Sequence, residues 1–177
     1  ANDIEPGSIL DFSNIVTRDA PAGKYGFPIV TKEGHLAFEK APNRPVRFIG
    51  GNLCFDANFL SKEECKQVVN DFVRRGWNTV RFHHIDVTIT KDEWNNLWGR
   101  KTYPEISPKR LDQLDYLMAE FKKAGIYVTF DLYAMGGLGS CEGFDKPLNS
   151  NTIKAIVPIH KPAEDQWFRR AMEIFDH

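Results

Sequence analysis

The sequence predicts an α/β domain built on a single parallel sheet. Three times along the chain, a short β-branched and aromatic segment precedes a stretch whose apolar residues recur with helical spacing. The return from helix to strand is short, which favours parallel pairing with right-handed crossovers. Each predicted strand also ends in polar residues, and ligands collect at that end of parallel strands. A functional site is therefore expected at one edge of the sheet.

A small hairpin is predicted ahead of this sheet. Residues 27–38 contain two short β-rich runs, and Lys32–His35 supplies the turn between them. We take residues 1–26 as an N-terminal extension and residues 27–177 as the main domain. The first strand of the main sheet is predicted at Val46–Asn52, where its two glycines lead into a loop.

The first helix is predicted from its capping signals. Ser61 and Glu64 have the spacing of a capping box, and Gly76 is placed to end the helix. Its apolar face consists of Cys65, Val68, Val69, Phe72 and Val73. The cysteine is accordingly interpreted as a small core residue.

The second strand lies within Asn78–Asp86 and carries unusual polar residues. A cation in a buried strand costs several kcal/mol without a partner, so Arg81 is expected to face the interior, toward a carboxylate or a polar cavity. Alternation places Arg81 and His83 on one face. His83 and His84 are adjacent and should point in opposite directions, which argues against a shared metal ion.

The second helix and third strand repeat this pattern. Ser107 and Pro108 mark the start of the helix, Gly125 marks its end, and Ile126–Leu132 is the predicted strand. A Gly-rich loop and a third amphipathic helix at residues 162–175 are expected to follow. Three such units form either a small open sheet or the first part of an eight-unit barrel.

Composition excludes several classes of function. With 23 basic and 24 acidic residues the formal net charge is −1, and no basic cluster suggests nucleic acid as a partner. No apolar run is long enough to cross a membrane. The N-terminus lacks signal-peptide features, so the localisation is unknown, and a secreted or periplasmic location is favoured only if a signal peptide was removed. The three cysteines lack paired metal-ligand spacing, and no dinucleotide fingerprint occurs, so neither a metal nor a cofactor is expected.

The candidate site residues are the polar groups at the predicted strand ends, together with one tryptophan. For His83 and His84 the alternative role is hydrogen bonding to backbone, and for Asp131 it is bracing a loop rather than pairing with Arg81 or His83. Trp98 either packs a loop or provides a platform for a sugar ring. The candidates for substrate binding are Asn52, Asp56, His83, His84, Trp98, Asp131 and Tyr133.

Several of these segments together resemble retaining glycoside hydrolases of the clan that includes family 5 cellulases and mannanases. The resemblance rests on Val46–Leu53, on Gly76–His84, and on Leu111–Asp115 leading to Lys123–Val128. It covers roughly residues 27–175. It implies a TIM barrel of which the hairpin and the first three β/α units are present, with the hairpin closing the bottom of the barrel.

The resemblance also implies roles for particular residues. Arg81 matches the arginine that orients the nucleophilic carboxylate, and His83 or His84 would bind sugar near the cleavage point. Tyr133 stands where many family 5 members carry histidine, which is a departure from the pattern. The acid/base and nucleophilic glutamates of the clan lie on later strands, so this chain is expected to be an inactive N-terminal portion of a longer hydrolase.

The sequence is also compatible with two other hypotheses for function. One is a non-catalytic carbohydrate-binding half barrel, stable alone or by self-association that covers its sheet edges. The other is an unrelated α/β hydrolytic enzyme in which His83 or His84 acts as base with Asp131. The expected partners are a carbohydrate substrate and either the missing C-terminal half of the barrel or a second copy of the chain.

Overall fold

The structure is a computed structural model that describes residues 4–16, 18–91, 105–131, 134, 139–140, 145–146, 161, 164–165, 168–169 and 172. Its elements, in chain order, are β1 (Pro28–Val30), β2 (Leu36–Phe38), β3 (Gly50–Cys54), α1 (Lys62–Arg74), β4 (Thr79–His83), α2 (Ile85–Thr88), α3 (Pro108–Lys123) and β5 (Tyr127–Phe130). A single 3-10 turn, Phe55–Asn58, follows β3.

The chain divides into two compact units. The first comprises Ala1–Leu53, Ala57–Phe82 and Gln113–Phe130, and the second comprises Cys54–Asp56, His83–Asp112 and Asp131–His177. Strands β3, β4 and β5 are neighbours in that order, and β4 pairs with β5 in parallel. The predicted parallel pairing is therefore confirmed for these two strands.

The core of the first unit lies between the sheet and its helices. Val80 and Phe82 of β4 are fully buried, and the Phe82 ring lies 6.0 Å from that of Phe121 on α3. Phe121 also contacts Phe72 of α1 at 5.2 Å between ring centroids. The alternating burial of β4 thus directs its apolar residues toward the helices.

The predicted hairpin is present as an antiparallel pair. Pro28 lies opposite Phe38 and Val30 opposite Leu36. The turn is closed by hydrogen bonds between Thr31 and His35, and Gly34 adopts a φ of 79° that favours glycine.

The first strand of the main sheet was predicted too early in the chain. It was expected at residues 46–52 but spans Gly50–Cys54, so the two glycines begin the strand instead of ending it. Upstream of it, the carbonyl of Ile49 accepts hydrogen bonds from Asn78 and Thr79, and the Asn78 side chain accepts one from the Ile49 N–H at 2.8 Å. The Asn78 side chain thus satisfies the Ile49 N–H, which a regular strand would have paired with backbone.

Helix α1 agrees with its predicted signals. The Ser61 hydroxyl accepts from the Glu64 N–H, and the Glu64 carboxylate accepts from the Ser61 N–H at 2.9 Å. The Ser61 hydroxyl also donates to this carboxylate at 2.6 Å, and this bond first, followed by that from the Ser61 N–H, lowers the pKa of the Glu64 carboxyl. Cys65 is fully buried, and this burial raises the pKa of its thiol, which supports its assignment to the core.

Helix α3 also starts and ends where the sequence predicts. Ser107 precedes Pro108, and its hydroxyl accepts from the Arg110 N–H at 3.4 Å. Gly125 ends the helix with a φ of 77°. Strand β5 is shorter than predicted within the described residues, since it ends at Phe130.

The N-terminal segment contacts the ends of both long helices in the first unit. The Phe12 N–H donates to the Arg74 carbonyl at 2.7 Å, and the Ala22 N–H donates to the Lys122 carbonyl at 2.8 Å. The boundary between an extension and a main domain at residue 26 stays a prediction.

The chain after residue 134 is described at a few positions only. The Gly-rich loop lies mostly outside the described residues. In the segment predicted as a third amphipathic helix, the described residues are helical, and both Phe168 and Met172 are exposed. Among the helices of the described residues, none combines the length and apolarity that a bilayer crossing needs.

Candidate functional site

The candidate site of the second unit forms where the chain leaves β4. His83 is the last residue of the strand, and His84 has a left-handed backbone with a φ of 59°. The short helix α2 starts immediately afterward. Because His84 leaves the extended conformation of the strand, the alternation of side chains ends there.

The two histidine rings consequently lie on the same side of the chain. Their centroids are 3.6 Å apart, with an angle of 53° between the ring planes. The expectation that they point in opposite directions was wrong, since it assumed a regular strand through His84. The left-handed residue is the physical reason for the difference.

His83 is paired with Asp131, the first residue after β5. The Nδ1 atom of His83 and the Oδ2 atom of Asp131 are hydrogen-bond partners. The two side chains are 20% and 18% exposed, so water screens the contact only weakly. The predicted pairing of Asp131 with His83 is thus present, and the substrate-binding roles of both residues stay predictions.

His84 is packed against an aromatic ring from another segment of the same unit. Its imidazole stacks on Phe55 with ring centroids 4.3 Å apart and planes 5° from parallel. Phe55 also has a left-handed backbone, with a φ of 52°. Sequence reasoning missed Phe55, because neither its conformation nor its contact with His84 is encoded by local spacing.

Two further acidic side chains of the second unit, Asp86 and Asp56, are held by hydrogen bonds. Asp86 on α2 is only 2% exposed, and its Oδ2 accepts a hydrogen bond from the Ala134 N–H at 3.2 Å. Asp56 is an exposed residue whose carboxylate pairs with the Arg110 guanidinium at 2.8 Å. Arg110 was not among the predicted site residues.

Asn52 and Arg81 are exposed residues of the first unit, on β3 and β4. Arg81 lies on the face of β4 opposite the buried Val80 and Phe82, as the alternation predicts, and it is exposed. Its expected position toward a carboxylate or a polar cavity stays a prediction. The role of Arg81 in orienting a nucleophile stays a prediction.

Two predicted site residues, Trp98 and Tyr133, lie outside the described residues. Across the described parts of the chain, no group of three His, Cys, Asp or Glu side chains is arranged to hold a metal ion.

The arrangement of the second unit favours hydrogen bonding to a polar ligand. An imidazole held by a carboxylate has a defined tautomer, and its two ring nitrogens then have fixed donor and acceptor roles. The carboxylates of Asp131 and Asp86 are already engaged with His83 and with the Ala134 N–H.

Comparison with known proteins gave one structural likeness of interest. A glycoside hydrolase family 5 protein from Bacteroides vulgatus is similar to this chain with a TM-score of 0.46 and 19% sequence identity. The matched region covers 66% of this chain and 26% of that protein, so the chain spans about a quarter of its length. No family profile and no curated protein sequence matched the chain.

Proposed function

We propose that this chain is the N-terminal, sugar-facing part of a retaining glycoside hydrolase that cleaves β-linked glucan-like or mannan-like chains. The observation that carries the proposal is the polar cluster at the carboxyl ends of two parallel strands, where His83, His84 and Asp131 meet. Ligand sites of barrels and open α/β sheets are built at these strand ends. The resemblance of three ordered sequence segments to the family 5 clan gives the reaction class.

The proposed roles follow the chemistry of the side chains. Imidazole and carboxylate groups hydrogen-bond to sugar hydroxyls, and this is the proposed role of His83, His84 and Asp56 in the second unit. The amide of Asn52, in the first unit, would bind sugar by the same chemistry. Tyr133 and Trp98 would complete the sugar site, with the indole stacking on an apolar sugar face. Arg81 would orient the nucleophilic carboxylate.

The two catalytic carboxyl groups belong to the part of the barrel that lies outside these 177 residues. Retaining hydrolysis needs them about 5 to 5.5 Å apart across the scissile bond. We therefore assign sugar binding to this chain and bond cleavage to the complete (β/α)8 barrel. Neither a metal nor a cofactor takes part in this mechanism.

A titration with oligosaccharides tests the proposal on the chain itself. Cellohexaose and mannohexaose are added to the isotopically labelled 177-residue chain, and histidine ring signals are followed by NMR. We expect saturable changes at His83 and His84 with at least one of the two sugars. His83→Ala should abolish binding, whereas Asp71→Ala, which removes a half-buried carboxylate on α1, should leave it intact. Unchanged histidine signals with both sugars would refute sugar binding by this cluster.

The pairing of His83 with Asp131 also favours a second candidate function. A carboxylate-supported histidine is the arrangement of a general base, and it would allow an unrelated α/β hydrolytic reaction. This candidate predicts hydrolysis of an activated ester by the 177-residue chain itself, with loss of turnover in His83→Ala. The glycoside hydrolase proposal predicts no such turnover.

A further inference from the structure

The contact between His83 and Asp131 follows directly from the strand register. Along the parallel pair β4 and β5, Arg81 lies beside Thr129 and Phe82 beside Phe130. His83, the last residue of β4, and Asp131, the first residue after β5, come next along the two segments. Paired positions on parallel strands place their side chains on the same face. The two side chains are therefore brought together by the backbone of the sheet, and no loop rearrangement is needed.

The imidazole of His83 is held from two directions. At one edge, its Nδ1 atom faces the Asp131 carboxylate. On one face, the His84 ring lies with its centroid 3.6 Å away, and His84 is backed by Phe55 in a near-parallel stack. The tilted His84 ring on one side and the weakly exposed Asp131 carboxylate on the other restrict both the tilt and the rotation of the His83 ring.

We propose that Asp131 is a positioning residue, whose carboxylate holds His83 in the Nδ1–H tautomer so that Nε2 accepts a hydrogen bond from a sugar hydroxyl. This inference rests on the proposed function and specifies it further. It also separates the roles of the two residues: His83 contacts the sugar, whereas Asp131 acts through His83. In the neutral imidazole one ring nitrogen carries the proton and the other is an acceptor, so a carboxylate that accepts from Nδ1–H selects the tautomer in which Nε2 is the acceptor nitrogen.

The tautomer of His83 is the first measurement. Long-range nitrogen-15 spectra of the neutral side chain distinguish Nδ1–H from Nε2–H, and the wild-type chain decides the matter without any variant. We expect Nδ1–H for His83. In Asp131→Ala the equilibrium should move toward Nε2–H, while Asp71→Ala should leave it unchanged, since Asp71 pairs with Arg75 on α1. A wild-type His83 in the Nε2–H form would overturn the inference, whatever the glycan data show.

Glycan affinity is the second measurement, and it uses the sugar that binds the wild type more tightly. Asp131→Ala should weaken binding about tenfold through the misoriented imidazole. Asp131→Asn keeps a carbonyl acceptor for Nδ1–H and should recover part of that loss. If Asp131→Ala loses affinity while the His83 tautomer is unchanged, Asp131 contacts the sugar itself and the positioning role is wrong. If the wild type shows the predicted tautomer but binds neither sugar, the proposed function and the sugar role fail together, and only the pairing stands.

Discussion

Two residues beside the candidate site have a backbone conformation that non-glycine residues seldom adopt. Phe55 and His84 have φ values of 52° and 59°. Such conformations cost of order 1 to 3 kcal/mol each and persist where the surrounding structure enforces them. Here the two side chains stack on each other at 4.3 Å, which offsets part of this cost. The left-handed backbone at residue 84 places the His84 ring beside that of His83, so this conformation is part of the geometry of the site.

His84→Val should destabilise the chain more than His84→Asn. Both changes remove the ring stacked on Phe55, but a β-branched side chain clashes in the left-handed region, whereas asparagine tolerates it. We expect the valine variant to be less stable by about 1 kcal/mol, measured by urea denaturation. Equal stabilities would show that the left-handed backbone at residue 84 is not maintained in solution.

At the residue scale, the sequence was sufficient to predict contacts that follow from the position of a residue at the end of a strand. His83 and Asp131 were found because polar residues at the ends of adjacent parallel strands must lie close together. Phe55 was missed because its stack with His84 depends on two left-handed residues. The face of β4 on which Arg81 lies was predicted because strand alternation is a local property, whereas what covers that face depends on distant segments.

At the scale of elements, the start of β3 depends on two close approaches within the first unit. A Cβ atom at Gly50 would lie 1.8 Å from the Thr79 carbonyl oxygen, and one at Gly51 would lie 2.5 Å from the Trp77 ring. Neither distance is compatible with normal packing. The glycines are therefore required by the close approach of Thr79 and Trp77. The prediction placed them at the end of the strand because these contacts between distant segments cannot be recognised from local sequence.

Gly50→Ala should be more damaging than Gly51→Ala. The backbone oxygen of Thr79 has little freedom to move, whereas the Trp77 ring can tilt away from an added methyl group. Overpacking costs about 1 to 3 kcal/mol, and we expect Gly50→Ala at or above the upper end of that range. Thermal or urea unfolding of the two variants measures the difference. A milder effect at Gly50 than at Gly51 would contradict the observed approach of β3 to β4.

The capping box of α1 makes the stability of the chain depend on pH. Hydrogen bonds from Ser61 lower the pKa of Glu64 from its ordinary value of 4.5, so the charged form is favoured in the folded state. A lowered carboxyl pKa contributes stability above the unfolded-state value, and this contribution is lost as the pH falls through the folded-state value. Glu64→Gln should therefore flatten the pH dependence of the urea midpoint below about pH 5. A profile parallel to that of the wild type would contradict this role.

Helix α1 and the start of α3 were predicted correctly because capping signals act within a few residues. The start of β3 and the short helix α2 were not, since each depends on contacts between distant segments or on one left-handed residue. Capping signals close in sequence thus account for the correct prediction of α1 and of the start of α3. Contacts between distant segments and left-handed residues account for the errors at β3 and α2.

At the scale of the whole molecule, several large apolar side chains are exposed among the described residues. Four aliphatic or aromatic residues are more than two-thirds exposed: Ile9 at 92%, Phe27 at 76%, Ile15 at 71% and Val30 at 71%. Exposed apolar surface and open strand edges favour association. We expect the 177-residue chain to gain apparent mass with concentration in light scattering. A sharp monomeric peak at high concentration would count against the view that this chain is part of a larger barrel.

We propose that this chain supplies the sugar site of a retaining hydrolase. The protein encoded by the complete reading frame can be supplied with β-glucan and β-mannan oligosaccharides, and the anomeric protons of the products followed by NMR. We expect hydrolysis in which the first product keeps the anomeric configuration of the substrate, with strong loss of activity in His83→Ala. Inversion of configuration would refute the retaining mechanism. Binding without hydrolysis would identify a carbohydrate-binding module, and the absence of both binding and hydrolysis would refute the proposed function.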